Sequence, residues 1–202
     1  MSSRIGVLGG SFSPPTHAHL SLAVCALSQL QLEKLFLVPC SVPGFDKSEE
    51  LIDDYHRFNM TQLAVFNRPE LSVLDFELFK GRKVYAHETF EFLKKEHKDS
   101  QVFFIGGSDT VSSISKWRNP QSIMSIVSFA IARRGDVSFD DARLKLLDAG
   151  VDKTAIIELE YPKNEMSSTI VRDRIRNGEM CNFMLPDSVI DYIEFHKLYK
   201  EA

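Results

Sequence analysis

Thr16 and His19 stand three residues apart, directly after the run Gly9-Gly10-Ser11-Phe12-Ser13-Pro14-Pro15. If a helix begins near Thr16, a hydroxyl and an imidazole share one face of its first turn, beside backbone N–H groups that have no partner within the helix. Two polar donors at a positive helix end suit an anion, which that end favours by about 0.3–1 kcal/mol when exposed and about 2 kcal/mol when partly buried. The apolar run Ile5 to Leu8 reads as a strand feeding the turn. Gly9 and Gly10 let the chain turn sharply and approach a ligand, and Pro15 presets the first helical turn. His17 and His19 do not read as a metal pair, because residues two apart on a helix diverge. Alone, Thr16-x-x-His19 would be a helix cap followed by a surface histidine.

A second set of donors lies far along the chain. Ser167, Ser168 and Thr169 open another helical stretch, and Arg172 follows Thr169 on the same face. Hydroxyls, helix-end amides and a guanidinium suit a polyphosphate; alone they would be a cap followed by a solvated Arg-Asp-Arg run. A third set joins Gly106 and Asp109, at the end of an apolar strand, to Trp117. Asp109 can accept hydrogen bonds from a ribose diol, Gly106 permits close approach, and Trp117 offers a flat face to a heteroaromatic ring. Taken singly, Asp109 is a helix N-cap and Trp117 packs in the core.

Positioning these groups is work for an α/β sheet. Strands are expected at 4–8, 34–38, 71–78, 101–105, 128–132 and 155–159. They alternate with helices at 16–30, 52–66, 86–95, 109–117, 120–126 and 139–148. That alternation predicts a doubly wound, Rossmann-like parallel sheet with helices on both faces, in a single domain with a small C-terminal helical part at 167–177 and 186–196. Ligands of such sheets sit beyond the carboxyl ends of the strands, so the loops after Leu8, Val38, Ile105 and Ala132 should converge.

With 202 residues, 44% hydrophobic and 26% charged, the chain suits one core. A net charge of −4 provides no global attraction for nucleic acid, so a small nucleotide held by local Lys and Arg fits better than a duplex. Three cysteines with no CxxC pair argue against a disulfide framework and a zinc knuckle, and point to a reducing, cytoplasmic setting. No signal-like or membrane-spanning apolar run is read, so neither secretion nor membrane insertion is expected. There is no G-x-x-x-x-G-K-[ST] loop, and Gly6-Val7-Leu8-Gly9-Gly10 does not match G-x-G-x-x-G, which disfavours P-loop and dehydrogenase chemistry.

Thr16-His17-Ala18-His19 resembles the T-x-x-H form of the HxGH-type nucleotidyltransferase signature, and Met166 to Arg172 resembles the I-S-S-T-x-x-R motif of the same superfamily. Phe104 to Asp109 with Lys116-Trp117 is similar to the G-x-D turn and downstream tryptophan of nicotinate or nicotinamide mononucleotide adenylyltransferases. Similarity to the bacterial nicotinate type continues through His56 to Met60, Asp75 to Leu78, Ala132 to Gly135 and Leu185 to Tyr199. The resemblance implies adenylyl transfer from ATP to nicotinate mononucleotide, giving deamido-NAD and pyrophosphate in NAD biosynthesis. The alternatives are nicotinamide mononucleotide as acceptor, or a catalytically silent nucleotide sensor.

It further implies roles for residues. Catalysis falls to His19, Thr16 and Arg172; ATP binding to Gly10, Ser11, Phe12, His19, Gly106, Asp109, Ser168, Thr169 and Arg172; and mononucleotide binding to Ser11, Lys47, Trp117 and Arg133. The segment from about 167 to 202 would complete the ATP site. Mg2+ is expected with ATP, held by phosphate oxygens and water, with no dedicated protein ligand. Self-association is permitted by edge strands and amphipathic helices. Ser13 replaces the family's common Asp or Asn, and Ala18 its usual glycine. Tyr85-Ala86-His87 lacks a threonine of the pyridine site, and Arg118 follows the tryptophan in place of tyrosine; Arg118 or His87 could meet a carboxylate instead.

Overall fold

Six apolar runs form one parallel sheet because both of its faces are covered, which lets hydrophobic side chains point either way along a strand. The computed structural model describes residues 3–41 and 51–200. The strands are β1 (Arg4–Gly10), β2 (Lys34–Pro39), β3 (Leu71–Val73), β4 (Gln101–Gly107), β5 (Val127–Ala132) and β6 (Ile156–Leu159). Their order is β3-β2-β1-β4-β5-β6, and every neighbouring pair is parallel. The direction of winding reverses between β1 and β4, where a Rossmann-like sheet opens a crevice at its carboxyl edge.

The helices are α1 (His17–Gln29), α2 (Asp54–Ala64), α3 (Ala86–Glu96), α4 (Ser108–Val111), α5 (Pro120–Ile126), α6 (Phe139–Asp148), α7 (Ser168–Arg176) and α8 (Asp187–Phe195). Ile5, Val7, Val102, Phe104 and Phe129 bury one face of the sheet against Phe90 and Leu93 of α3, Ile123 of α5 and Leu146 of α6. Leu8, Leu35, Leu37, Phe103 and Ile105 bury the other against Ala23 and Ala26 of α1. Neighbours such as Phe103 and Phe104 thus serve opposite cores, each burial contributing about 1.5–3 kcal/mol. A third core joins Met60 of α2, Val171 of α7, and Val189 and Ile193 of α8, tying the C-terminal helices to the sheet through α2. Among the described residues, no helix is long and apolar enough to cross a membrane.

Four local expectations change. β1 continues through Gly9 and Gly10, which pair with Val38 and Pro39, so the glycines do not make the turn. Phe12 makes it, at φ 46°, and Gly10 leaves room for its ring: a Cβ there would lie 3.3 Å from it. Pro15 stands outside α1, before the N-cap Thr16, and not in the first helical turn. β3 ends at Val73, and Leu78 N–H closes a turn onto Asp75 O at 2.8 Å. The helix expected at 109–117 breaks after Val111 into a 3-10 turn at Ile114–Lys116. There the Ser113 hydroxyl donates to Thr110 O at 2.7 Å, the kind of local bond by which serine competes with helical geometry.

Candidate active site

The turn between β1 and α1 is built from carbonyls that face inward. Ser11 O accepts from Arg57 Nη1 at 2.9 Å, Ser13 O from Arg172 Nη1 at 3.0 Å, and Pro14 O from the Ser168 hydroxyl at 2.8 Å. Among the described residues, no protein acceptor takes the Phe12 or Ser13 N–H. Phe12 itself takes a left-handed conformation, with φ at 46°. A bulky residue adopts that conformation only when its surroundings compel it. Here the Phe12 ring is fully buried and lies edge-on to His19, with centroids 5.1 Å apart.

At the start of α1, Thr16 N–H donates to His19 Nδ1 at 3.0 Å, and the Thr16 hydroxyl lies 2.8 Å from the same nitrogen. A backbone N–H can only donate, so Nδ1 carries the lone pair and the neutral ring keeps its proton on Nε2. Burial, aided by the Arg134 guanidinium, holds the His19 pKa down to about 4. The imidazole is therefore an uncharged Nε2–H donor at neutral pH. His17 is exposed, and its N–H is taken by Met184 O at 2.9 Å.

His19 lines a cleft with Ala18 and Leu22 of α1, Gly107 of β4, Ala132, Arg133 and Arg134 after β5, and Tyr161, Asn164 and Met166 on the approach to α7. Leu22, Ala132 and Met166 make an apolar wall, while two guanidinium groups and an imidazole supply donors at the cleft. Tyr161 fixes the far side: its hydroxyl donates to Ala18 O at 3.1 Å and lies 2.7 Å from the Ser21 hydroxyl. A shallower groove between the end of α2 and β3, lined by Phe66, Arg68 and Leu71, is formed by none of these residues.

The cytidylyltransferase-like family matches residues 7–174. A relative from Lachnoclostridium phytofermentans, named "probable nicotinate-nucleotide adenylyltransferase", is 33% identical over 197 residues, covering 97% of this chain and 98% of its own. One of the same name from Lactococcus lactis is 33% identical, covering 98% of this chain and 96% of its own. The chain belongs to the nicotinate-nucleotide adenylyltransferases of the cytidylyltransferase-like family. Among solved structures, the nicotinic acid mononucleotide adenylyltransferase of Plasmodium falciparum complexed with NaAD superposes with a TM-score of 0.74 at 21% identity, covering 98% of this chain and 97% of that one. The same enzyme complexed with APC gives 0.72. At that identity the likeness speaks to the fold.

In this adenylyltransferase, the two helix openings singled out by sequence do meet, but through buried contacts. α7 abuts the turn that feeds α1, with Arg172 only 4% exposed beneath Ser13; Arg172 Nη2 is also 3.4 Å from Thr169 Oγ1. Its guanidinium is not among the groups lining the cleft. Gly10 and Ser11 are half-buried on the β1 side, and Ser168 and Thr169 on the α7 side. Asp109 accepts from Thr110 N–H at 2.8 Å and has its other oxygen 3.8 Å from Arg134 Nε. Gly106 is buried, and a Cβ there would stand 3.1 Å from the Phe104 ring.

Trp117 packs edge-on to Phe104 at 5.6 Å, its Nε1–H donates to Ser113 at 3.1 Å, and it is not among the residues lining the His19 cleft. Arg118 lies over the Tyr85 ring at 4.7 Å, with Lys83 at 5.1 Å from the same ring. Lys47 lies outside the described residues.

Sequence reasoning passed over Arg57, Gly107 and Arg134. Arg57 sits in a quoted tract, His56 to Met60, yet nothing local signals that its side chain is buried. Gly107 is the crowded glycine of the pair: a Cβ there would run into Asp109 Oδ1 and stand 2.9 Å from Arg134 Cδ. Arg134 neighbours the residue singled out, Arg133, and both line the cleft.

Proposed function

We propose that this protein transfers the adenylyl group of ATP to nicotinate mononucleotide, forming deamido-NAD and pyrophosphate in NAD biosynthesis. The observation that carries the reading is the Thr16–His19 bond, which leaves a neutral Nε2–H at a helix start beside the Phe12 and Ser13 amides, which no protein acceptor among the described residues takes. Such a site suits phosphate oxygens and offers no nucleophile or base, which this reaction does not need. The mononucleotide phosphate arrives ionised; one of its oxygens attacks the α-phosphorus of ATP, and the bond to the bridging oxygen breaks as pyrophosphate departs. The protein's part is to hold two anions in line and to stabilise the charge that develops.

His19 donates to the phosphoryl group in transit, and Thr16 fixes its ring. The Phe12 and Ser13 amides, with the half-buried Gly10 and Ser11 beside them, receive phosphate oxygens. Arg172, Ser168 and Thr169 hold the turn from the α7 side and lend it positive charge, so the segment from about 167 to 202 completes the ATP site. Arg133, Arg134 and the apolar wall of the cleft hold the nucleotide, with Gly106 and Gly107 allowing its approach and Asp109 reaching a ribose. Magnesium bound to ATP would reduce repulsion between the anions and would be held by phosphate oxygens and water. Lys47 and Trp117 are assigned to the mononucleotide. The cations over Tyr85 and the names of the curated relatives both support a carboxylate on the pyridine in preference to an amide.

Pyrophosphate release from magnesium-ATP with each mononucleotide in parallel tests this. Higher kcat/KM with nicotinate mononucleotide supports it. Equal or greater efficiency with nicotinamide mononucleotide, or ATP binding without release, overturns it.

A further inference from the structure

Among the described residues Arg57 is the largest side chain withdrawn completely from water, and none of the phosphate chemistry assigned above involves it directly. It rises from the first turn of α2 into the gap below β1 and β2. Nη1 donates to Ser11 O at 2.9 Å and to Cys40 O at 2.7 Å, the loop carbonyls that follow those two strands. Nη2 pairs with Asp54, while Nε finds no partner among the described residues. Cys40 N–H donates in turn to Gly10 O at 2.9 Å, so one guanidinium locks the exits of adjacent strands together. Burying a charged group with an unmet N–H is costly, and packing an apolar residue in its place is often neutral or stabilising. A buried guanidinium of this kind is weak evidence for a stabilising role by itself.

Peptide geometry indicates another role. In a trans peptide the C=O and the following N–H point in opposite directions. With Ser11 O held by Arg57, Phe12 N–H points to the opposite side of the peptide, and no protein acceptor among the described residues takes it. If that peptide were flipped, a carbonyl would face the bound phosphate and repel it. We infer that Arg57 is a positioning residue for adenylyl transfer, setting the Ser11–Phe12 peptide so that an N–H meets the substrate's phosphate. The inference rests on the proposed reaction, but the peptide's orientation can be read without turnover.

Two measurements test it. In the wild-type protein, adding magnesium-ATP or pyrophosphate should move the Phe12 amide proton downfield in a 15N-resolved spectrum. In Arg57→Lys, whose single ammonium cannot span both carbonyls in the same fork, that shift should shrink and KM for a phosphate-bearing substrate should rise about tenfold, with kcat changed less. Arg57→Met should show a larger KM effect; if it fails to fold, the lysine variant and the wild-type spectrum still decide. A Phe12 amide that does not respond to either ligand, or an Arg57→Lys protein that melts earlier but keeps wild-type KM and kcat, overturns the inference. Absence of turnover in the wild type would overturn the proposed reaction instead, while the amide response to pyrophosphate would still report on Arg57.

Discussion

A histidine that must accept through Nδ1 has one part left to play at a phosphoryl group, which is to donate from Nε2. His19 is held in that form by the Thr16 N–H and by a pKa of about 4. Replacing it by alanine should lower kcat by about 10²–10³, the usual cost of losing one preorganised donor, as read in a pyrophosphate-release assay. Unchanged turnover would remove His19 from the mechanism. Gly107 makes a separate prediction. A methyl at this position collides with Asp109 and Arg134, so Gly107→Ala should cost about 1–3 kcal/mol in urea unfolding and raise KM for ATP. At this scale the spacing placed Thr16 and His19 together on the first turn of one helix, while the bond between them came from the structure. Arg134 and Gly107 were not legible from spacing, because their importance comes from side chains that reach them across the sheet edge.

Elements settle which polar groups are buried, and the turn after β3 shows the consequence. Because the strand stops at Val73, Glu77 turns inward, where it is 8% exposed and accepts from the Thr89 hydroxyl of α3 at 2.8 Å. Burial raises its pKa from 4.5 to about 7, against hydrogen bonds from Thr89 and the Ser41 backbone that work the other way. The folded protein then binds more protons than the unfolded chain between about 4.5 and 7, and this group's contribution to stability falls as pH rises through that window. Glu77→Gln removes the titration but keeps an acceptor. Its stability relative to wild type should increase from pH 5 to pH 8 in matched denaturant curves; a constant difference would count against the assignment. The alternation of strands and helices announced six strands, yet not where each ended. After Val111 the Ser113 hydroxyl competes locally for Thr110 O, whereas the partner that Glu77 finds beyond Val73, Thr89, belongs to a different element and is not revealed by sequence neighbours.

Across the whole molecule, the β1–β4 switch point, the two arginines beneath the turn and the cleft beside His19 form a site that should be more stable when filled. A ligand that binds only the folded state at about 100 times its Kd adds about 2.7 kcal/mol, and each kcal/mol moves the midpoint of a protein this size by about 2–4 °C. Magnesium-ATP should raise the melting temperature accordingly, and His19→Ala should reduce the gain; no shift at millimolar ATP would rule out a nucleotide site.

The residue types and their spacing were enough to indicate a parallel α/β sheet, a helix start at Thr16 and a second one at Ser167 far along the chain, because helix periodicity and strand patterning are local properties. Only the folded chain decided that Phe12 and not a glycine makes the turn, that Arg172 lies beneath Ser13, and that Arg57 is buried. Each depends on which carbonyls need a donor once strands far apart in sequence lie side by side, and that need arises only when tertiary packing excludes water.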